Sequence, residues 1–383
     1  MKQTASIIST YTADVSGVCS ALYELGGMTV IHDASGCNST YNTHDEPRWY
    51  DMDSLVFISA LSEMEAVMGD DEKLVSDIVE AARETHPRFI AIAGTPIPML
   101  VGTDFAAIAA LCEERTGLPC FGFPTNGTHS YISGASMALD ALARRFVRGG
   151  EKSKAPSVNL LGATPLDFSV NGSVGSMKKF LTDGGFALVS CWTMSTSLED
   201  LENAASARVN LVVSACGLAA AKTLQARFGT PYVVGTPIAG CFSETLLQAL
   251  READETGVCR SAYGRAQSIA DAETLIIGEA VYSASLAAAL EAETGRPARV
   301  LCPLEATDEL LRPGDARATD EDELVPLLKA AKCIIADPLY APICPKSARF
   351  IPLPNEAFSG RIYRRDIPDL TKSIKSILEA MQK

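Results

Sequence analysis

The chain has 383 residues, a formal net charge of −14 at pH 7 and a sequence pI of about 4.8. With about 100–200 residues per domain, this length predicts two or three domains. The acidic charge disfavours nucleic acid and anionic membrane surfaces as partners. No run of about 18 apolar residues predicts a membrane-spanning helix.

Residues 1–17 have neither the charged region nor the long apolar region of a signal peptide, so we expect a cytoplasmic protein. Eleven cysteines, an odd number, argue in such a protein against a disulfide framework and favour burial, metal binding or redox chemistry. The sequence contains no CxxC, HExxH, Walker or GxGxxG motif. The sequence therefore lacks the local signatures of zinc fingers, zincins, P-loop enzymes and dinucleotide-binding folds.

Short apolar segments of strand length recur along the chain, and most precede a turn and a segment with helical spacing. The predicted strands lie at 29–33, 54–60, 88–94, 119–125, 158–163, 186–192, 209–215, 231–237, 274–280, 298–304, 333–339 and 349–354. The predicted helices include 72–86, 103–117, 133–149, a helix at 243–257 that connects the second and third blocks of strands, and a closing helical segment at 369–383. This alternation is typical of βαβ units around parallel sheets.

The pattern predicts an α/β fold of two to three Rossmann-like lobes with parallel sheets. A polar stretch at 150–157 predicts a linker. We assign 1–150 to an N-terminal lobe, 151–270 to a middle lobe, and 271–383 to a C-terminal lobe with closing helices. Ligands of open α/β sheets bind beyond the carboxyl ends of the strands, so the turns after the strands are the candidate sites.

Two cysteines lie near the first predicted strand. Cys37 follows the strand and a glycine, where a helix N-terminus would favour a thiolate. Cys19 lies in a predicted short helix that Asp14 or Ser16 could cap, and both cysteines could face the same end of the sheet. Taken singly, each cysteine is better explained as a buried core residue.

Residues 16–134 resemble component 1 of nitrogenase and its relatives, which include the dark-operative protochlorophyllide reductase. The resemblance is carried by MTVIHDASGC at 28–37, SEMEAVMGDDEKLVSDI at 62–78, GTPIPMLVGTDF at 94–105 and TGLPCFGFPTNG at 116–127, and it resumes at 208–237. The order and spacing of these segments make the match specific. The resemblance implies a nitrogenase component 1-like fold and an oxidoreductase function.

The resemblance also implies an iron-sulfur cluster held by cysteines from two subunits at their interface. Cys37 matches the family's Gly-Cys position, and Cys19 matches its upstream cysteine less tightly. Thr95 or Pro96 occupies the place of the third family cysteine, so the usual three ligands cannot all be present. A 4Fe-4S cluster commonly takes four thiolates. Cys19 and Cys37 from each of two chains would complete one cluster shared across a homodimer or a related heterodimer.

Three further residues are candidates for the site. Cys216 follows the strand at 209–215, close to the position where nitrogenase holds its active-site metal cofactor, although a core role explains it as well. Glu63 resembles an acidic position of the family, and His129 follows another strand, where it could donate a proton to a substrate. Capping or solvent-facing roles are the alternatives for Glu63 and His129.

By this resemblance, a separate ATP-dependent iron protein would supply electrons for the reduction of a small molecule or a tetrapyrrole bound between lobes. Two other functions stay open. One is a non-catalytic iron-sulfur cluster carrier or cofactor-assembly scaffold on the same fold. The other is a two-lobed glycosyltransferase-like or ligand-binding protein without metal. Cys37→Ser would abolish the first two functions and do little to the third.

Overall fold

The structure is a computed structural model that describes residues 5–7, 12–34, 41, 45–264 and 269–382. Within these residues the strands form three sheets, and all of their strand pairs are parallel. In this part of the chain no helix is both long and apolar enough to cross a membrane.

The first sheet contains β1 (Met28–Ile31), β2 (Leu55–Ile58), β3 (Ile90–Ala93) and β4 (Cys120–Phe123), in the order β2-β1-β3-β4. Its helices are α1 (Asp14–Leu22), α2 (Glu63–Met68), α3 (Asp71–Thr85), α4 (Pro96–Val101), α5 (Phe105–Thr116) and α6 (Tyr131–Arg145). The two central strands, β1 and β3, are buried at every residue, as expected for apolar strands covered by helices on both faces.

The second sheet contains β5 (Ser157–Leu161), β6 (Ala187–Cys191), β7 (Val209–Val212), β8 (Tyr232–Val234) and β9 (Arg260–Ser261), in the order β6-β5-β7-β8-β9. Its helices are α7 (Pro165–Phe168), α8 (Ser173–Asp183), α9 (Leu198–Glu202), α10 (Leu218–Phe228) and α11 (Cys241–Thr256). The helix predicted as a connector between blocks is α11. It instead joins β8 to β9 within this sheet. The sequence did not predict this connection, because β9 is only two residues long and leaves no pattern in the sequence.

The third sheet contains β10 (Thr274–Ile277), β11 (Ala298–Cys302), β12 (Ala316–Arg317), β13 (Cys333–Ala336) and β14 (Arg349–Pro352), in the order β12-β11-β10-β13-β14. Its helices are α12 (Ala280–Thr294), α13 (Glu321–Leu328), α14 (Glu356–Tyr363) and α15 (Lys375–Gln382). Short 3₁₀-helices lie at Ala204–Ser206, Ala215–Gly217, Asp308–Leu310, Pro338–Ile343 and Arg364–Asp366.

Each strand predicted from the sequence is present, and the two-residue strands β9 and β12 are additional. One apolar core runs through all three sheets and includes Val18, Leu211 and Ile276. The domain boundaries assigned from the sequence stay a prediction.

Helices α1 and α6 pack with their backbones in direct contact. A methyl group on Gly134 would collide with the carbonyl group of Asp14, and one on Gly17 would collide with that of Tyr131. The N–H of Asp14 donates to the carbonyl of His129 at 3.0 Å. The glycines therefore bring the start of α6 beside the start of α1.

Candidate functional site

Five buried polar side chains from all three parts of the fold meet at one place. They are Tyr131 at the start of α6, Asp167 in α7, Ser214 and Cys216 after β7, and Glu279 after β10. The hydroxyl of Tyr131 donates to Asp167 Oδ1. We call these five residues the junction cluster. Its members from the second and third sheets follow the carboxyl ends of strands, where ligands of open α/β sheets bind.

Glu279 joins the third sheet to the second. It is the N-cap of α12, and its carboxylate accepts the N–H groups of Val281 at 3.1 Å and Tyr282 at 2.8 Å. The same carboxylate accepts the N–H of Ala215, after β7, at 3.0 Å. One side chain therefore caps its own helix and holds the turn that carries Cys216.

Burial and neighbouring acids raise the pKa values of the titratable groups in the junction cluster. Burial raises the pKa of Asp167 far above the ordinary carboxyl value, and the neighbouring Glu279 raises it further. Burial also raises the pKa of Glu279, although the backbone N–H groups that it accepts oppose the shift. The pKa values of the Cys216 thiol and the Tyr131 hydroxyl lie well above their ordinary values for the same reason.

A narrow cavity lies beside the junction cluster, between the second and third sheets. Its free volume of about 20 Å³ has room for roughly one water molecule. The acids on its wall are Asp167, Glu279 and Asp337, and the rings are Phe168, Tyr282 and Phe358. We call it the intersheet cavity.

The three acids of the intersheet cavity differ in how their oxygens are used. Glu279 is occupied by the backbone groups described above. Asp337 accepts from Leu339 N at 3.0 Å, from Asn355 N at 2.9 Å and from Ser359 Oγ at 2.5 Å. Asp167 Oδ2 has no hydrogen-bond partner among the described residues. Asp167 is therefore the acid with an oxygen left over for a ligand.

The predicted cluster cysteines are placed as follows. Cys37 lies outside the described residues. Cys19 is fully buried in α1, where burial and the negative charge of Glu46 raise its pKa far above the ordinary thiol value. Thr95, at the place of the third family cysteine, is buried and donates its hydroxyl to the carbonyl of His32 at 2.9 Å. Metal coordination itself deprotonates a thiol, so this raised pKa describes Cys19 without a metal.

Of the two predicted cluster cysteines, the structure describes Cys19 alone, and a thiol buried within its own chain does not fit a cluster at a subunit interface. In the part of the chain that the structure describes, no group of three or more His, Cys, Asp or Glu side chains could hold a metal ion. Cys216 is buried and does not line the intersheet cavity. Its predicted role as a cofactor ligand finds no support in this environment.

The predicted capping of α1 by Asp14 or Ser16 is wrong. The N-cap is Ala13, and it makes no side-chain cap hydrogen bond. The Asp14 carboxylate instead accepts the N–H groups of Asn126 at 2.9 Å and Gly127 at 2.8 Å, in the turn after β4. A tertiary contact has replaced the local one, because α1 packs directly on α6.

An ionic network beside Cys19 was not predicted from the sequence. Arg48 is buried, with its Nε 2.6 Å from Glu46 Oε1 and its Nη1 2.9 Å from Glu24 Oε1. Its Nη1 also donates to the carbonyl of Thr193 at 2.8 Å, in the turn after β6. No local pattern marks this arginine, because its partners come from the turn after α1, its own loop and the turn after β6.

Glu63 is exposed in the first turn of α2. The helix is capped by its neighbours: Ser62 Oγ accepts from Glu65 N at 3.3 Å, and Glu65 Oε2 accepts from Ser62 N at 2.8 Å. Glu63 therefore does not cap α2 and does not line the intersheet cavity.

His129 lies where the first and third sheets approach each other. Its side chain is 54% exposed, and its Nδ1 is 3.5 Å from Glu305 Oε1. Glu305 also accepts the N–H of Ser130 at 2.9 Å, at the start of α6. His129 is paired at the surface and is not part of the intersheet cavity, so its role as a proton donor stays a prediction.

Helices α2 and α4 expose an apolar surface at the carboxyl edge of the first sheet. The exposed side chains, which we call the α2–α4 patch, are Met64, Val67, Met68, Leu100 and Val101. Contiguous exposed apolar side chains mark interaction sites more often than they mark ordinary surface.

Comparison with known proteins agrees with this fold. The sequence model described as nitrogenase component 1 type oxidoreductase matches residues 17–273. The chain is 28% identical to the nitrogenase iron-molybdenum cofactor biosynthesis protein NifE of Clostridium pasteurianum, over 46% of this chain and 38% of that protein. It is also 28% identical to one of the polypeptides of the light-independent protochlorophyllide reductase of Nostoc punctiforme, over 44% of this chain and 35% of that protein.

A third relative is the nitrogenase molybdenum-iron protein alpha chain of Clostridium pasteurianum, at 26% identity over 46% of this chain and 33% of that protein. The alignments with these three proteins thus span about a third to two fifths of their length.

A solved structure of nitrogenase Cp1 at pH 6.5 superposes with a TM-score of 0.69 at 13% identity, covering 100% of this chain and 93% of that chain. Another, of nitrogenase Cp1 at pH 5, gives a TM-score of 0.59 at 19% identity, covering 86% and 72%. These superpositions concern the fold alone, and they confirm the nitrogenase component 1-like α/β architecture predicted from the sequence. Because the family model covers residues 17–273 of 383, the chain belongs to the nitrogenase component 1 type oxidoreductase family.

Proposed function

We propose that the chain is the substrate-reducing subunit of a nitrogenase-like oxidoreductase that receives electrons from a separate ATP-dependent iron protein. The observation that carries this proposal is the convergence of Asp167 and Glu279 on one cavity at the carboxyl ends of strands from two sheets. Reduction of a bound molecule consumes protons as well as electrons. A buried carboxyl group with a raised pKa beside a cavity, as Asp167 is, is suited to supply such a proton.

The size of the intersheet cavity favours one of the two predicted substrate classes. A free volume of about 20 Å³ suits a molecule of very few atoms and is far too small for a tetrapyrrole. We therefore propose a small molecule as the substrate at this place.

A partner subunit is proposed to cover the α2–α4 patch, as a second copy of the chain or a related chain. The exposed apolar side chains of Leu100 and Met68 support an interface there. The shared 4Fe-4S cluster stays a proposal that rests on the family resemblance and on Cys37, since the environment of Cys19 does not fit it.

The first experiment measures iron and acid-labile sulfide in protein purified without oxygen, with visible spectra before and after dithionite. The reductase proposal is supported if the protein contains iron, if its visible absorption bleaches on reduction, and if the iron is lost in Cys37→Ser. About two irons per chain would correspond to one four-iron cluster per dimer. Protein that stays free of iron after anaerobic reconstitution contradicts the proposal.

A cluster carrier or assembly scaffold is the second candidate function. It is favoured by the similarity to a cofactor biosynthesis protein. Mixing the iron-loaded chain with iron-free ferredoxin separates the two candidates. A carrier transfers its iron to the ferredoxin, whereas a reductase subunit retains it. Family membership argues against the glycosyltransferase-like hypothesis.

A further inference from the structure

We infer that Asp167 carries a proton on Oδ2 in the folded protein and is the group that donates a proton to a ligand in the intersheet cavity. This inference rests on the proposed function, because it assumes that the cavity is where a substrate binds. It assigns a role to a residue that the sequence motifs did not mark.

The hydrogen bonds of Asp167 distinguish its two oxygens. Oδ1 accepts the hydroxyl of Tyr131, so this oxygen already has a donor. Oδ2 is buried and has no partner of acceptable geometry among the described residues. A bare carboxylate oxygen in such a place is costly, whereas a protonated oxygen is neutral and is a donor. Asp167 lines the cavity.

The groups around Asp167 also favour the protonated form. In the described residues, the titratable groups that face it are Tyr131 from α6, Glu279 and Tyr282 from the start of α12, and Cys216 from the turn after β7. All four are acids. A negative charge on Asp167 therefore meets no neighbouring positive charge in this set.

The proton belongs on Asp167 and not on Glu279, because Glu279 is better prepared to be an anion. The Glu279 carboxylate accepts three backbone N–H groups, from residues 215, 281 and 282. Hydrogen bonds to the charged form of an acid stabilise that form. With a single charge allowed at this place, Glu279 takes the charge and Asp167 keeps the proton.

Asp337 provides an internal comparison. It lines the same cavity, but both of its oxygens accept hydrogen bonds from residues of its own sheet. Its role is to cap the 3₁₀-helix Pro338–Ile343, of which it is the N-cap. Asp167, by contrast, has one oxygen, Oδ2, that accepts no hydrogen bond from the described residues.

The transfer itself moves one proton. The O–H bond at Asp167 Oδ2 breaks, a bond forms between that proton and a basic atom of the ligand, and Asp167 is left as a carboxylate. Tyr131 continues to donate to Oδ1. The Ser214 hydroxyl lies close enough to Asp167 to lower its pKa, and it has no partner of acceptable geometry of its own among the described residues. Rotation of this hydroxyl would stabilise the new charge, and solvent would return the proton.

Infrared spectra of protein labelled with ¹³C at all aspartate carboxyl groups test this inference at neutral pH. The wild-type spectrum minus that of Asp167→Asn should contain the carbonyl band of a protonated carboxylic acid, and the band should shift in D₂O. Asp104→Asn is the matched control, because Asp104 is the exposed N-cap of α5 and should change carboxylate bands alone. A difference spectrum of Asp167→Asn with carboxylate bands alone, or an acid band that does not exchange in D₂O, overturns the inference.

Tyr131→Phe keeps the inference falsifiable if Asp167→Asn does not fold. Loss of the hydroxyl that donates to Oδ1 should move the frequency of the same acid band. An unmoved band means that it arises from another aspartate, which also overturns the inference. Neither result bears on the iron measurement, so the inference can fail while the proposed function stands.

Discussion

Tyr131 and Asp167 hydrogen-bond each other across the boundary between the first two sheets. Tyr131 begins the helix that follows β4, and Asp167 lies in the short helix that follows β5. Both side chains are buried. This contact places a carboxyl group in a setting that favours its neutral form, and it has a consequence for stability.

The stability of the protein is expected to depend on the protonation of Asp167. Its pKa is raised in the folded state, so between the ordinary carboxyl pKa of about 4 and the raised value the folded protein binds more protons than the unfolded chain. The free energy of unfolding therefore falls as pH rises through this interval. Urea unfolding at several pH values should show a shallower fall in Asp167→Asn than in the wild type. Parallel curves would contradict this expectation.

Arg48 is expected to be essential for stability. Arg48→Met leaves the buried carboxylates of Glu46 and Glu24 without their partner, and loss of one partner of a buried pair costs about 3–5 kcal/mol. Arg144→Met is the control, since its ion pair with Asp140 is exposed and contributes at most about 1 kcal/mol. Equal urea midpoints for the two variants would show that the buried network contributes no more to the free energy of unfolding than the exposed ion pair does.

The contact between α1 and α6 is expected to tolerate no side chain at Gly134. The added methyl group of Gly134→Ala meets the carbonyl of Asp14, and overpacking of this kind costs about 1–3 kcal/mol or more. Gly175→Ala in α8 is the matched substitution: no described atom lies within contact distance of the new methyl group, and the higher helix propensity of alanine should stabilise by up to about 1 kcal/mol. Thermal unfolding of both variants checks the opposite signs.

Cys19 is expected to be a core residue and not a metal ligand. Cys19→Ser should lower stability by about 1–3 kcal/mol, because a hydroxyl replaces a buried thiol, while the iron content per chain stays that of the wild type. Cys112→Ser is a matched control, since Cys112 is also fully buried with a raised thiol pKa. Loss of iron from folded Cys19→Ser, with iron retained in Cys112→Ser, would restore Cys19 as a ligand.

The α2–α4 patch is expected to mediate assembly. Leu100→Glu places a charge on an exposed apolar side chain of this patch and should convert the proposed dimer to monomer in sedimentation experiments at micromolar concentration. Val258→Glu is the control, because Val258 is an exposed apolar residue after α11. Equal assembly of both variants would place the interface elsewhere.

The sequence alone determined the α/β class, the long strands and the family. Apolar runs such as IAIA at 90–93 are local features, and their burial follows from composition and length. The two-residue strands β9 and β12 left no such pattern and were found in the structure alone. Of the predicted cluster cysteines, Cys37 lies outside the described residues. Cys19 matched by position, but the structure buries it within its own chain.

The junction cluster was decided by the tertiary structure. Apart from Cys216, none of its members was a candidate from sequence, because an aspartate or a glutamate after a strand reads as an ordinary helix cap. Glu279 is indeed a cap, and only the packing of the second sheet against the third gives it Ala215 as a further partner. The pKa of Asp167 likewise depends on residues distant in sequence that exclude water from it. Burial and charge proximity are properties of the assembled fold, so no local pattern records them.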